Sequence, residues 1–292
     1  MTVATAVTTA PALSVRGLSA SLGSFALRDV SFDLPTGFVM GFVGPNGSGK
    51  TTTIRCLLGM LRPESGQIDV LGHRLPAPSE IRQDVGVVLD RTCYVEDWRL
   101  DDVERALRPF YPCWDRGEYR RLLDHFGLDR RLRVKDLSRG MAMKLTIAVA
   151  LSHQARLLVL DEPTSGLDPV ARDDLVGILG DFLADPGHSV LFSTHITADL
   201  ERIADYVTFI HSGRIVSSGT KDDLLDEFRL VRGGPDDLPD PRQVNLIGTR
   251  RHDSGFEALV RTEQVDLLGT GLAVEAPNLD QIVIHFGAQN RS

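Results

Sequence analysis

Gly44-Pro45-Asn46-Gly47-Ser48-Gly49-Lys50-Thr51 is the stretch from which the rest of this sequence is read. It matches the pattern G-x-x-x-x-G-K-[ST], in which glycines let successive backbone N–H groups turn inward around phosphate oxygens. Lys50 is long enough to reach the β- and γ-phosphates of a nucleotide, and the Thr51 hydroxyl can ligate Mg²⁺. The flanks agree with that reading. Val39–Val43 is a short continuous apolar run, as in a buried strand, and Thr52, Ile54, Leu57, Leu58 and Leu61 follow at helical spacing. The N-terminus of that helix adds its positive end to the same anion site, so Thr52 joins the octet as a contact residue.

A second chemical signal lies downstream. Leu157-Leu158-Val159-Leu160-Asp161-Glu162 is an apolar strand ending in two acids, which places both at the carboxyl edge of a sheet, level with the phosphate loop. Asp161 is placed to hold Mg²⁺, directly or through water, and Glu162 to accept a proton from an attacking water. Together the two motifs define a P-loop NTPase, with a nucleoside triphosphate and Mg²⁺ as its ligands.

The surrounding pattern supports an α/β fold. Val39–Val43, Val85–Leu89, Leu157–Leu160 and Val190–Phe192 are continuous apolar runs, each followed by Gly, Asp, Ser or Thr, as in a mainly parallel sheet covered on both faces. Before this core, Val15, Leu18, Phe32 and Leu34 sit in half-polar segments broken by Gly17, Gly23 and Pro35–Gly37, which suits a small N-terminal antiparallel β subdomain. Leu100 to Ser152 reads as helical, with breaks near Pro112 and Val134–Leu137, and is expected to be a helical subdomain inserted at about 91–152. Tyr206–Ile210 and Arg214–Val216 flank Gly213 as a hairpin. Gly233, Gly234, Pro235, Pro239 and Pro241 suggest a linker, after which Phe256–Arg261 and Leu272–Glu275 look like strands. The expected division is a flexible tail at 1–12, an ATPase domain at 13–228 and a C-terminal accessory region at 229–292.

Composition excludes some classes of function. The 292-residue chain is 42% hydrophobic and 25% charged, as an ordinary folded protein is, and its net charge of −8 argues against nucleic acid as a main partner. Cys56, Cys93 and Cys113 show no metal-binding spacing and read as reduced thiols. No apolar run approaches the roughly 20 residues needed to span a bilayer, and the N-terminus lacks the basic region of a signal peptide. A role at a membrane is therefore expected from the cytoplasmic side, through a partner.

Asp136-Leu137-Ser138-Arg139-Gly140-Met141, shortly before the acid strand, resembles the Leu-Ser-Gly-Gly-Gln signature of ATP-binding cassette proteins. Leu137, Ser138 and Gly140 agree; Arg139 and Met141 depart. Ser138 is also a good N-cap for the helix implied by Met141, Leu145, Ile147, Ala148 and Leu151. Ser165-Gly166-Leu167-Asp168 resembles the family's D-loop, and His195, ending Phe192-Ser193-Thr194-His195, resembles its switch histidine. These elements follow the family's order from about residue 13 to 228. The resemblance implies ATP as nucleotide, Glu162 and His195 as catalytic residues, and a nucleotide-sandwich homodimer in which Ser138 and Gly140 of one copy face ATP held by Lys50 of the other. Two more positions depart. Asp90 stands where the family's Q-loop glutamine approaches the metal, and Leu22 stands where an aromatic residue stacks on adenine. Phe25 lies close enough to substitute as that platform, or else belongs to the core.

Phe110–Asp115, Lys135–Lys144 and His195–Leu200 resemble bacterial exporter-type ATPases, whose membrane subunit is encoded separately. That implies a peripheral protein at the inner face of the cell membrane, powering export of drugs, peptides or antibiotics. Asp90–Asp102 is then expected to line the groove for the membrane subunit, with Tyr94 and Trp98 as anchors or as core residues. The competing reading is a soluble cassette ATPase acting on ribosomes or in DNA repair. A single cassette with no sustained heptads and no basic tract speaks against it.

Overall fold

The computed structural model describes residues 10–76, 79–90, 93–240, 242–269 and 271–288. Residues 1–9 of the expected tail, Arg91 and Thr92 at the expected start of the helical subdomain, and Pro241 of the expected linker lie outside them.

The central sheet contains β3 (Val39–Val43), β6 (Val85–Val88), β7 (Leu157–Asp161), β8 (Ser189–Thr194), β9 (Tyr206–His211) and β10 (Arg214–Thr220), in the order β10-β9-β3-β8-β7-β6. Neighbours from β9 to β6 run parallel, and only β10 is antiparallel, paired to β9 through a hairpin with Gly213 at φ 76°. Side chains of a strand alternate between faces, and the core divides accordingly. Val39 and Val43, Leu158 and Leu160, and Val190 and Phe192 face one cluster. Met40 and Phe42, Leu157 and Val159, and Leu191 face the other. Every residue of β3, β7 and β8 is buried, which is why these strands read as continuous apolar runs.

The second face is covered by α1 (Lys50–Leu57) and by an antiparallel sheet of β1 (Leu13–Leu22), β2 (Phe25–Leu34), β4 (Ser65–Val70) and β5 (His73–Arg74), in the order β2-β1-β4-β5. The first face carries the helical segment. Its helices are α2 (Leu100–Leu107), α3 (Arg116–His125) and α4 (Arg139–Leu151), with single 3₁₀ turns at Arg108–Phe110 and Val134–Asp136, where the sequence breaks. Tyr119 is fully buried among them, and its hydroxyl donates to the Leu100 carbonyl at 2.9 Å. Tyr94 and Trp98 both pack against this core cluster. Burial raises the Tyr94 phenol above its ordinary pKa. Of the two roles open to them, the packing one is observed.

After α5 (Pro169–Phe182), α6 (Thr197–Ile203) and α7 (Lys221–Glu227), a third sheet is formed by β11 (Phe228–Gly233), β12 (Ile247–His252), β13 (Gly255–Arg261) and β14 (Ala273–Glu275). Two of these were expected as strands, and β14 is a residue shorter than its reading. The chain then forms α8 (Leu279–Ala288), which the sequence reading did not anticipate. Phe286 of α8 meets Phe209 edge-on at 4.8 Å and Phe228 at 5.5 Å. One face of the third sheet, with Leu230 and Leu259, joins the same core cluster as the parallel sheet, while the other face has its own cluster around Val231 and Phe256.

Candidate functional site: a phosphate-binding cavity

The loop from Gly44 to Gly49 leaves the carboxyl end of β3 and enters α1 directly. Gly49 caps α1 with φ 115°, where a side chain is strained. A Cβ there would also lie 2.7 Å from Leu27 Cδ2 and 2.9 Å from Phe25 Cζ. Gly44 is held as closely, because a Cβ would stand 2.2 Å from the Ile210 carbonyl oxygen. Glycine at both places is thus a packing requirement of the loop.

Lys50 is 6% exposed and its Nζ donates to the Gly44 carbonyl at 2.7 Å. Burial lowers its pKa, partly offset by the negative charges of Glu162 and Asp161. Nζ stands 3.4 Å from Glu162 Oε1. The other carboxylate oxygen, Oε2, accepts a 2.7 Å bond from His195 Nδ1. Glu162 sits at φ 54°, an uncommon conformation for a residue with a side chain. Its N–H is held by the Ser193 carbonyl at 2.9 Å, so neighbouring β8 maintains the unusual backbone that aims the carboxylate at Lys50 and His195.

Parallel pairing of β7 with β8 sets Asp161 opposite Ser193, whose hydroxyl donates to Asp161 Oδ1 at 3.0 Å. Thr51 hydrogen-bonds the same carboxylate. Burial raises the Asp161 pKa, and these hydrogen bonds oppose that rise. Asp161 is only 3% exposed and does not itself line the cavity, whereas its partner Thr51 does.

A cavity of about 370 Å³ opens above these groups, lined by Leu22, Phe25, Asn46, Gly47, Gly49, Lys50, Thr51, Thr52, Asp90, Glu162 and His195. Arg139 and Ser165 also line it. Pro45 and Ser48 line an adjoining cavity between the loop and α8. Phe25 is half-buried against the second core cluster and also lines the cavity. Leu22 is 45% exposed at the rim. Ser138 and Gly140 do not line the cavity of their own chain. Ser138 caps α4, its hydroxyl accepting from the Met141 N–H at 3.2 Å, and Gly140 approaches the Gly166 carbonyl, 3.2 Å from the place of a Cβ. Arg139 had registered in the sequence only as a departure from a pattern. No local signal placed it at the cavity.

The residues fit a nucleoside triphosphate with its metal ion. Ser48 Oγ is buried in the loop with no hydrogen-bond partner among the described residues, a hydroxyl free to bond a phosphate oxygen. Thr51 and Asp161 supply hard oxygen ligands. Among the described residues no group of three or more His, Cys, Asp or Glu could hold a metal by itself. Two oxygen ligands, Thr51 and Asp161, are what Mg²⁺ needs from a protein, since it is usually bound by one or two protein oxygens together with substrate phosphates.

Comparison with known proteins extends this. A family model described as ABC transporter matches residues 27–165. The chain is similar to Nod factor export ATP-binding protein I of Rhizobium leguminosarum bv. viciae, 33% identical over 259 residues, covering 81% of this chain and 82% of the relative. To the protein of the same name from Rhizobium meliloti it is 31% identical over 304 residues, covering 94% of this chain and 88% of the relative. Among solved structures it is similar to an ATP-binding subunit of an ABC transporter, at 34% identity and TM-score 0.66, over 73% of this chain and 91% of that one. A dimeric ATP-binding cassette bound to ADP and Pi has the same fold, with 21% identity and TM-score 0.63 over 71% of this chain and 98% of that one. The partial Leu-Ser-x-Gly match is thereby joined to likeness along most of the chain, and this chain belongs to the ATP-binding cassette transporter family, as an ATP-binding, ATP-hydrolysing subunit.

Proposed function

We propose that the chain is the motor of an exporter, working as a nucleotide-sandwich homodimer at the cytoplasmic face of a membrane and docked on a separately made membrane subunit. The observation that carries this is the convergence of Lys50, Glu162 and His195 on one cavity in a chain similar to export ATP-binding proteins. Among the described residues no helix is long and apolar enough to cross a membrane, so the membrane-spanning part is assigned to a partner. The dimer is supported by Ser138 and Gly140, which lie at the start of α4 and do not line the nucleotide cavity of their own chain. We assign the ATPase domain to 13–228, with 91–152 as its helical subdomain and 229–292 as an accessory region.

In this reading the loop amides and Lys50 hold the phosphates, and Glu162 takes the proton from the attacking water. The 2.7 Å bond to His195 keeps the Glu162 carboxylate in place. Mg²⁺, held by Thr51 and Asp161, would supply charge neutralisation on the phosphates when bound, while Asp90, the third expected ligand, is paired with Arg139. Fractionation of native cells tests the exporter reading. The protein should sediment with membranes and co-purify with a membrane protein, whereas expression alone should leave it in the supernatant. Exclusive association with ribosomes or DNA would overturn it.

Discrimination between ATP and GTP is expected to be weak. The loop reads phosphates, and Leu22 at the rim offers apolar contact that is indifferent to the purine it covers. Stacking on an aromatic ring contributes roughly 1–3 kcal/mol. Phe25→Ala should therefore weaken binding of both nucleotides by about tenfold or more. Titrations of ATP and GTP against wild type, Phe25→Ala and Leu22→Tyr check this. A wild-type preference for ATP beyond about a hundredfold would reveal an adenine-specific contact elsewhere.

A further inference from the structure

Arg139 and Asp90, the residues at two of the positions where this chain departs from the family pattern, touch each other. Arg139 Nη2 lies 2.5 Å from Asp90 Oδ1 and donates to Ser165 Oγ at 3.0 Å. The arginine stem packs on the loop after Glu162, since a Cβ on Gly166 would lie 3.2 Å from Arg139 Cδ. One guanidinium thus ties together the end of β6, the first residue of α4 and the loop carrying Ser165. Both partners line the same cavity as Lys50, Glu162 and His195.

The location decides what such a pair can do. The Arg139 side chain is 59% exposed and that of Asp90 48%, so their attraction adds little to the stability of the fold. A polyphosphate bound on Lys50, in contrast, lies in the cavity that both charges border. Near a protein surface, an unbalanced unit charge within several Å of it would shift binding by about tenfold or more. Paired, the two charges cancel.

We propose that Arg139 and Asp90 are a mutually neutralising pair of positioning residues for the ATPase reaction, setting the charge beside the phosphates and holding the Ser165 loop against the start of α4. This rests on the ATPase reading of the cavity. Removing Arg139 leaves an anion that repels ATP; removing the Asp90 charge leaves a cation that binds nucleotide more tightly and slows its release. Removing both restores neutrality.

Steady-state hydrolysis of MgATP by wild type, Arg139→Ala, Asp90→Gln and the double variant tests this, with a melting curve for each. Arg139→Ala should raise KM by about tenfold. Asp90→Gln should lower both KM and kcat, and the double variant should return KM close to the wild-type value. Arg139→Lys, which keeps the charge but not the forked reach to Ser165, should keep KM and lower kcat. A double variant whose KM stays as high as that of Arg139→Ala, or melting temperatures that fall while KM stays the same in all four proteins, would overturn the proposal. Wild-type activity that survives Lys50→Ala would instead show that the hydrolysis is not at this site.

Discussion

Glu162→Gln is expected to bind ATP and hydrolyse it about 10²–10⁴-fold more slowly than wild type, the usual contribution of a general base. The substitution keeps the length and shape of the side chain, and an amide oxygen can still accept the bond that His195 Nδ1 makes to Glu162 Oε2 at 2.7 Å. Lys50, Thr51 and the loop amides are unchanged, so phosphate binding persists while proton acceptance is lost. ATP then outlives the bound state from which it would be consumed. Size-exclusion chromatography with ATP and Mg²⁺ should show a dimer of the variant, and a single-turnover assay should show the slowed cleavage step. Turnover at the wild-type rate would mean that another residue is the base.

Lys50→Ala is expected to abolish the thermal stabilisation that nucleotide confers, while leaving the nucleotide-free protein folded. Saturating a site at a hundredfold excess over Kd stabilises by about 2.7 kcal/mol, and that increment should vanish. The ligand-free fold should tolerate the change for an electrostatic reason. Burial lowers the Lys50 pKa, with the charges of Glu162 and Asp161 offsetting only part of the effect. The native state therefore holds this proton less tightly than the unfolded chain does. The resulting burden is full below the folded pKa and disappears as pH rises through the ordinary value of 10.5. At neutral pH the buried cation of the empty site is offset only in part, by Glu162, Asp161 and the Gly44 carbonyl. Melting curves with and without MgATP check this. A cooperative melt near the wild-type temperature with no nucleotide shift is the expected result. A drop of more than about 10 °C without nucleotide would make Lys50 a structural residue.

Signals in the C-terminal region varied in how far they could be read. The helix α8 carries one. Asn278 Oδ1 accepts from the Gln281 N–H at 2.8 Å, and Gln281 Oε1 accepts from the Asn278 N–H at 2.9 Å, a reciprocal cap written three residues apart. Behind it Leu279, Ile282, Val283 and Phe286 recur at helical spacing and are buried. The strand β12 carried none. Only Ile247 and Gly248 of its six residues are buried, and Thr249 to His252 are exposed, so no alternation marks it and its pairing with β13 alone makes it a strand.

The sequence by itself determined the phosphate loop, the acid-tipped strand and the parallel core. The loop's donors lie in one stretch of chain and its helix begins at the next residue, so the motif is written locally even though Phe25, Leu27 and Ile210 enclose its glycines. The buried strands announce themselves because both of their faces are covered. What only the tertiary structure decided are the meetings between distant residues. Glu162 and His195 are 33 residues apart and Arg139 and Asp90 are 49 apart. Their contact depends on the register that sets Asp161 opposite Ser193 and on the docking of α4 beside the loop after Glu162. No local periodicity encodes a register or a docking angle; packing of the two core clusters does. For that reason Arg139 looked in the sequence like a flawed signature, and in the folded chain it is a charge partner at the nucleotide cavity.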